Sequence, residues 1–299
     1  MFRNVAELVS LAEQHQVKIA EIMIRQEVEV TGLSREEVIS KMDQNLTVME
    51  RAIDRGLNGV KSRTGLTGGD AVLLQNYIKS GKSLTGTLLL DAVSKAVATN
   101  EVNAAMGIIC ATPTAGSAGV VPGTLFAVKD KLNPTRQEMI EFLFTAAAFG
   151  FVVANNASIS GAAGGCQAEV GSASGMAAAA IVEMAGGTPK QSAEAMAITL
   201  KNMLGLVCDP VAGLVEVPCV KRNAMGASNA LTAADMALAG VTSRIPCDEV
   251  ISAMYAIGQS MPSALRETAE GGLAATPTGR RLEAEIFGQP KEKLMDYLV

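Results

Sequence analysis

The chain has 299 residues, of which 48% are hydrophobic and only 3% aromatic, and its formal net charge is −5. An acidic chain without a basic block argues against nucleic acid as a partner. Five cysteines spread over this length do not resemble the dense disulfide framework of a small secreted protein. Alanine, valine, leucine and methionine dominate the apolar content, which favours helices over strands. We predict an all-α fold: one compact multi-helix domain over residues 1–299, with peripheral helices over 1–56, a core over 57–299, and glycine-rich loops around a buried site.

The N-terminal residues lack the apolar core of a signal peptide, so we expect a cytoplasmic protein. Two long runs carry no charge, residues 102–128 and 142–168, and either could be mistaken for a membrane span. A spanning helix needs about 20 strongly apolar residues. Proline and glycine interrupt the first run, and asparagine, serine and glycine interrupt the second. We expect both runs to lie in the protein interior, without a membrane as partner.

The first 56 residues show the periodicity of surface helices, with apolar residues such as Val5 and Leu8 on one face. The stretch from Ser34 to Glu37 has the sequence of a capping box, which predicts a helix that begins there. His15, the only histidine, lies among glutamate and glutamine residues. This setting favours a solvated helix end over a catalytic role.

Two loops rich in hydroxyl groups and glycine follow. The first, residues 62–70, includes Thr64 and Thr67, and it suits a surface turn and a backbone that closely approaches a ligand equally well. A predicted helix over 83–106 separates it from the second, residues 112–119. Amide groups of the second loop could converge on a carboxylate or phosphate, or the loop could be a packed bend between helices. No Gly-Lys-Ser/Thr follows it, so it is not a Walker loop.

Polar residues interrupt the second charge-free run. Thr135 to Glu138 predicts the start of an alanine-rich helix that runs towards Asn155, and the polar segment 155–158 follows it. Buried amides and hydroxyls require partners, so we expect this segment to face a site or a polar network. Further helices are predicted up to residue 185, from 188 to 205, from 223 to 239 and from 246 to 261.

Three of the five cysteines lie close to glycine or proline: Cys166, Cys208 and Cys219. Thiolates are ligands for iron–sulfur clusters, zinc or copper. Paired Cys-x-x-Cys sequences, which are typical of structural zinc sites, are absent, and the spacings are too wide for a local ferredoxin loop. From the residues alone, three buried structural cysteines remain an alternative to a cluster. Cys110 and Cys247 are assigned to packing.

Several long segments closely resemble the iron–sulfur-dependent L-serine dehydratases, and in particular the alpha chain of the two-chain bacterial type. The similarity extends over nearly the whole chain and keeps the order of the motifs. The segments that carry it are residues 114–117, 155–158, 160–171, 208–213, 217–219 and 267–274.

The resemblance implies a [4Fe–4S] cluster held by Cys166, Cys208 and Cys219, with one iron left without a thiolate from these three. That iron would act as a Lewis acid in the elimination of the β-hydroxyl group of L-serine, which yields pyruvate and ammonia. We assign substrate contacts to the two loops and the polar segment, at Thr64, Thr67, Thr114, Ala115, Gly116, Ser117, Asn155, Asn156 and Ser158.

No catalytic base is evident in this chain. In the family that it resembles, the beta chain carries a Ser-Ser-His-Thr motif, which is absent here, so we expect a beta chain to supply a histidine. In single-chain relatives a C-terminal cysteine can approach the open iron. This chain ends in residues 295–299 without a cysteine, so we do not expect that form of self-occupation.

Two alternatives belong to other classes of protein. A dehydratase that uses pyridoxal phosphate would need a Schiff-base lysine in a recognisable setting and usually has an α/β fold, and the sequence shows neither. A helical binding or scaffold subunit with merely buried cysteines is the second alternative.

Overall fold

The computed structural model describes residues 1–288. In this part of the chain the regular structure is helical, apart from one parallel bridge between Cys208 and Arg266. The predicted all-α fold is therefore confirmed. The α-helices are α1 (Val5–His15), α2 (Ile19–Thr31), α3 (Arg35–Leu57), α4 (Asp70–Lys79), α5 (Thr87–Ala104), α6 (Val120–Leu132), α7 (Arg136–Asn156), α8 (Gly161–Gly164), α9 (Ser172–Met184), α10 (Pro189–Lys201), α11 (Cys219–Leu238), α12 (Cys247–Ser260) and α13 (Pro277–Phe287).

Short helical turns complete the described part. A π-helical turn (Gln167–Gly171) precedes α9, and 3₁₀ turns lie at Val211–Gly213, Ser263–Leu265 and Gly272–Ala275. These turns occur where the chain passes the cysteines or packs beside them.

Three predicted helix starts are confirmed by their capping geometry, whereas the helices predicted from 83 and from 223 begin at Thr87 and Cys219. Ser34, Thr135 and Thr188 each accept a hydrogen bond from the backbone amide three residues later, and the side chain of that later residue binds back to the cap. Two otherwise unpaired amides are satisfied at each helix start. His15 is the exposed last residue of α1, as predicted.

The centre of the core is α9, which contacts α6, α7, α10 and α11. Every residue of α9 from Ser172 to Val182 is buried. Most of these side chains are small, so neighbouring helices approach closely on all sides. Residues of α1, α2 and α3 belong to the same hydrophobic cluster as α9.

Glycines allow α5 to contact the helices on either side of it. A Cβ atom on Gly56 of α3 would lie 2.3 Å from the carbonyl oxygen of Ala98, and one on Gly123 of α6 would lie 2.6 Å from the amide nitrogen of Ala96. Real Cβ atoms do not approach backbone atoms so closely. The absence of side chains at these two positions therefore sets the distance between the helices.

The two charge-free runs contribute to the interior. Val120–Val128 in α6 is buried throughout. By length and composition α7 is the one described helix that could cross a membrane, but 67% of its most apolar window is buried inside the protein.

A carboxylate from α9 caps α2. Lys18 at the N-cap of α2 provides no side-chain acceptor. The side chain of Glu183 instead accepts hydrogen bonds from the amides of Ile19 at 2.6 Å and Ala20 at 3.2 Å, and also one from the hydroxyl group of Thr145. A negative group at this position also interacts favourably with the helix dipole.

We expect this cap to make stability depend on pH. Burial raises the pKa of Glu183, opposed by the hydrogen bonds from Thr145 and the α2 amides. The folded state thus holds the proton more tightly than the unfolded state, whose glutamate pKa is about 4.3. The contribution of Glu183 to the free energy of unfolding is fully present below the unfolded-state pKa. It is lost as the pH rises through the folded-state pKa.

The test replaces Glu183 with glutamine, which does not titrate. We expect the stability of the wild type relative to Glu183→Gln to decrease as the pH rises from about 4 to about 7, in urea unfolding curves at each pH. The hydrogen bonds that the variant loses change its stability by the same amount at every pH, so they add no pH dependence to the difference. A difference that stays constant with pH would contradict the prediction.

Candidate functional site

The three cysteines reach the site from different elements. Cys166 follows Gly165, whose positive φ of 77° lets the chain turn sharply after α8. Cys208 lies in the short extended segment that bridges to Arg266. Cys219 is the first residue of α11. All three are buried, and each has a free thiol.

The ionisation of these thiols shows that they lie together. Burial raises the pKa of Cys166 and that of Cys219 to about 12, and it also raises the pKa of Cys208. A charge on Cys166 further raises the pKa of both other thiols. An effect of one charge on another group's pKa requires that the two groups be neighbours. The structure therefore brings into one region three residues that are far apart in the sequence.

Two carboxyl groups lie beside the thiols. A Cβ atom on Gly161 would lie 2.8 Å from the Cys208 sulfur, 3.1 Å from a Glu267 oxygen and 3.3 Å from a Glu169 oxygen. Gly161 thus leaves a small space that these three side chains surround. Burial raises the pKa of the Glu169 carboxyl group, and the charge of Glu267 adds to the rise.

The loop at 112–119 contacts this group through Thr114, whose hydroxyl group donates a short hydrogen bond to Glu169. Two buried asparagines hold the loop. Asn100 on α5 donates to the carbonyl oxygen of Gly116 at 2.9 Å, and Asn223 on α11 donates to the same oxygen at 2.7 Å. Asn223 also accepts from the amide of Gly119 at 3.0 Å. The loop is therefore fixed to the helix that begins at Cys219.

The loop at 62–70 is held by Glu216, a residue that is only 5% exposed. Thr64 donates to its carboxylate at 2.9 Å, and Thr67 donates at 3.0 Å. A cleft of about 860 Å³ has Thr64, Ala115 and Glu216 among its lining residues. The two predicted loops thus share one cleft, next to the segment that leads to Cys219.

The polar segment at 155–158 is placed differently from the expectation. Asn155 and Asn156 are exposed in the last turn of α7, and their side chains donate to the carbonyl oxygens of Phe151 and Arg3. Their expected burial is wrong, because α7 extends beyond the core before the chain turns. Ser158 is half-buried near Gly164, in the segment that leads to Cys166.

Sequence reasoning missed the charged and amide residues of the site. Glu169 is the only charged residue between Glu141 and Glu183, and a lone charge in such an apolar stretch was a usable signal. Asn223, fully buried in an alanine-rich helix, was a weaker one. Glu216 lies between Val215 and Val217 and gave a similar but shorter signal, whereas Glu267 lies among polar and glycine residues and gave none.

The other two cysteines are not assigned to this site. Cys247 is buried at the start of α12, and Cys110 is half-buried. The terminal residues 295–299, on which the expectation about self-occupation rests, lie outside the described residues.

The donor set at this site bears on the implied metal group. Within residues 1–288 no three cysteine, histidine or carboxylate side chains converge closely enough to hold a single metal ion. In an iron–sulfur cluster each cysteine binds a different iron, so the sulfurs surround the group instead of meeting at one point. Three buried, unpaired thiols beside the space at Gly161 fit such a group in donor type and number.

Fold and site together define an all-helical protein with a buried centre of thiols and carboxyl groups beneath two hydroxyl-rich loops. Residues 14–274 match the sequence model of a family described as "Serine dehydratase alpha chain". The chain belongs to this family, which confirms the resemblance to the alpha chain of the two-chain enzymes.

Individual relatives agree with the family match. The chain is 80% identical over 288 residues to a "Probable L-serine dehydratase, alpha chain" of Bacillus subtilis, with 96% of each chain covered. It is 43% identical to an "L-serine dehydratase, alpha chain" of Peptoniphilus asaccharolyticus, with 96% of this chain and 99% of the relative covered. An "L-serine dehydratase TdcG" of Escherichia coli is 37% identical over 91% of this chain, and the match covers 61% of that longer protein.

Proposed function

We propose that this chain is the alpha chain of an L-serine dehydratase, a cytoplasmic ammonia-lyase that converts L-serine to pyruvate and ammonia. The observation that carries the proposal is the grouping of three buried free thiols beside the Thr114–Glu169 contact, in a chain of this family. The alpha-chain names of the relatives support a partner beta chain.

We assign Cys166, Cys208 and Cys219 as the ligands of a [4Fe–4S] cluster. When bound, the cluster would supply a Lewis acid that stabilises the charge developing on the departing hydroxyl group of serine. Each ligand comes from a different element, so folding is required before the three can bind one group. No pyridoxal phosphate is required in this proposal.

The chain's own residues bind and orient the substrate. The loop at 112–119 is held by Asn100 and Asn223, so its backbone is preorganised to receive the substrate carboxylate. Glu169 orients the Thr114 hydroxyl group at the edge of this loop. The loop at 62–70, held by Glu216, lines the approach through the cleft.

The remaining group is the base that takes the α-proton of serine. We propose that it is a histidine of the beta chain, since His15 is exposed at the end of α1. Loss of the α-proton and the β-hydroxyl group leaves aminoacrylate. Its imine form takes up water and releases ammonia, so the overall reaction is serine to pyruvate and ammonia.

The test is anaerobic purification of this chain alone and together with the beta chain, with measurement of bound iron, visible absorption and pyruvate formation from L-serine. We expect a brown protein with about four irons per alpha chain and turnover only when both chains are present. Full turnover by the alpha chain alone would overturn the role of the partner. Turnover by a protein without iron would overturn the cluster.

The binding or scaffold subunit remains the second candidate, because buried free cysteines are common in helical interiors. It predicts a colourless protein and no pyruvate with or without the beta chain, so the same experiment separates the two.

A further inference from the structure

One buried arginine, Arg222 on α11, contacts the segments on both sides of Cys208. Its guanidinium group forms an ion pair with Asp209 at 2.8 Å and donates a hydrogen bond to the carbonyl oxygen of Val207 at 2.7 Å. The side chains of Arg222 and Asp209 are only 14% and 4% exposed. Val207 and Asp209 immediately precede and follow Cys208, so Arg222 holds the residues on both sides of this cysteine.

The same arginine is connected to the other two cysteines. Cys219 lies three residues before Arg222 on α11, so both project from the same side of the helix. The segment of Cys166 is hydrogen-bonded to the segment of Cys208, because the amide of Gln167 donates to the carbonyl oxygen of Leu206 at 2.9 Å. Arg222 is therefore linked to the segments of all three cysteines.

Asp209 extends this network beyond the cysteines. Its second oxygen accepts a hydrogen bond from the amide of Leu273 at 2.7 Å. A Cβ atom on Gly272 would lie 2.3 Å from the same carboxylate, so the turn at Gly272–Ala275 packs directly against it. The ion pair thus joins α11, the Cys208 segment and the turn that follows Glu267.

We propose that Arg222 is a positioning residue, which holds the Cys166, Cys208 and Cys219 segments together and places a positive charge beside their metal group. This inference rests on the proposed cluster and goes beyond its ligands. A guanidinium group suits both parts, since its planar fork makes several directed hydrogen bonds and it stays charged when buried.

The charge and the contacts have separable consequences. Reduction of a cluster adds negative charge, so a neighbouring cation favours the reduced form and raises the reduction potential. The contacts fix the ligands, and loss of such outer partners typically weakens metal binding about 10–100-fold.

The experiment compares Arg222→Gln, Arg222→Lys and wild type, each purified anaerobically as the complex with the beta chain. Arg222→Gln should give a more negative midpoint potential and lose iron to a chelator at least about tenfold faster. Arg222→Lys should keep a potential near that of wild type but still lose iron faster, because an ammonium group cannot reproduce the forked contacts. Both readouts are independent of turnover.

Lys221→Gln is the matched control. Lys221 is next to Arg222 on α11, and its replacement by glutamine removes one positive charge, as Arg222→Gln does. The Lys221 side chain is 61% exposed and forms an ion pair with Asp70. We expect Lys221→Gln to keep the reduction potential and the iron retention of the wild type. An unchanged potential and unchanged iron loss in Arg222→Gln would overturn the inference while the proposed function stands.

If Arg222→Gln does not fold, Arg222→Lys tests the proposal. Iron loss from Arg222→Lys at the rate of the wild type would then overturn the positioning role. If the wild type itself binds no iron, the proposed cluster fails, and Arg222 is then judged by amide hydrogen exchange in the metal-free chain. Faster exchange at residues 207–209 in Arg222→Lys than in Lys221→Gln would support positioning, and equal exchange would reject it.

Discussion

Replacement of Cys208 by serine is expected to abolish iron binding and serine turnover together. Cys208 is buried between Cys166, Cys219 and two carboxyl groups. A serine hydroxyl group is a hard, neutral donor, whereas iron–sulfur clusters require thiolates. The thiol and hydroxyl groups are close in size, so we expect the helices to remain folded. Bound iron, visible absorption and pyruvate formation by the anaerobic complex measure the effect.

Cys247→Ser is the control for this substitution. Cys247 is also a buried free cysteine, but it lies at the start of α12 and outside the group of three. It should retain both iron and turnover, with a modest loss of stability from the buried hydroxyl group. Retained iron in Cys208→Ser, or its loss in Cys247→Ser, would reject the assignment of the ligands.

A single added methyl group at Gly123 is expected to destabilise the fold by about 2–3 kcal/mol. The new Cβ atom would lie 2.6 Å from the amide nitrogen and 2.8 Å from the Cα atom of Ala96. These are backbone atoms, so α5 and α6 must move apart to relieve the overlap. The helix propensity of alanine, better than that of glycine by about 1 kcal/mol, offsets only part of this cost. We expect the thermal midpoint, followed by far-ultraviolet circular dichroism, to fall by roughly 3–5 °C.

Gly171→Ala is the matched substitution. Gly171 also has helical backbone angles, but its added Cβ atom would meet only Met203 at 3.7 Å and Leu200 at 3.9 Å, both ordinary contacts. Its thermal midpoint should stay the same or rise. If both alanine variants behave alike, the close approach of α5 and α6 at Gly123 does not limit stability.

The helical class and most helix starts could be predicted from the sequence, because they depend on local rules. Each of the capping boxes, at Ser34, Thr135 and Thr188, depends on only four consecutive residues. The cap of α2 could not be predicted, since its acceptor, Glu183, comes from a helix that is more than 150 residues away.

Burial was predictable only where composition decides it. The charge-free stretch Val120–Val128 is buried as expected. Asn155 and Asn156 are exposed although their neighbours in sequence are apolar. Whether the end of a helix lies inside the core or beyond it depends on the lengths and angles of the helices packed against it, and these are not local properties.

By itself the sequence determined the all-α class, the family and the identity of the candidate ligands. Long ordered motifs and a composition that favours helices can be recognised without any knowledge of tertiary contacts. Only the tertiary structure decided that Cys166, Cys208 and Cys219 share one buried region with Glu169 and Glu267, and that Arg222 joins their segments. The physical reason is the reach of the forces involved. Capping and periodicity act within a few residues, whereas burial and charge interactions act between groups that only the packing of separate helices brings together.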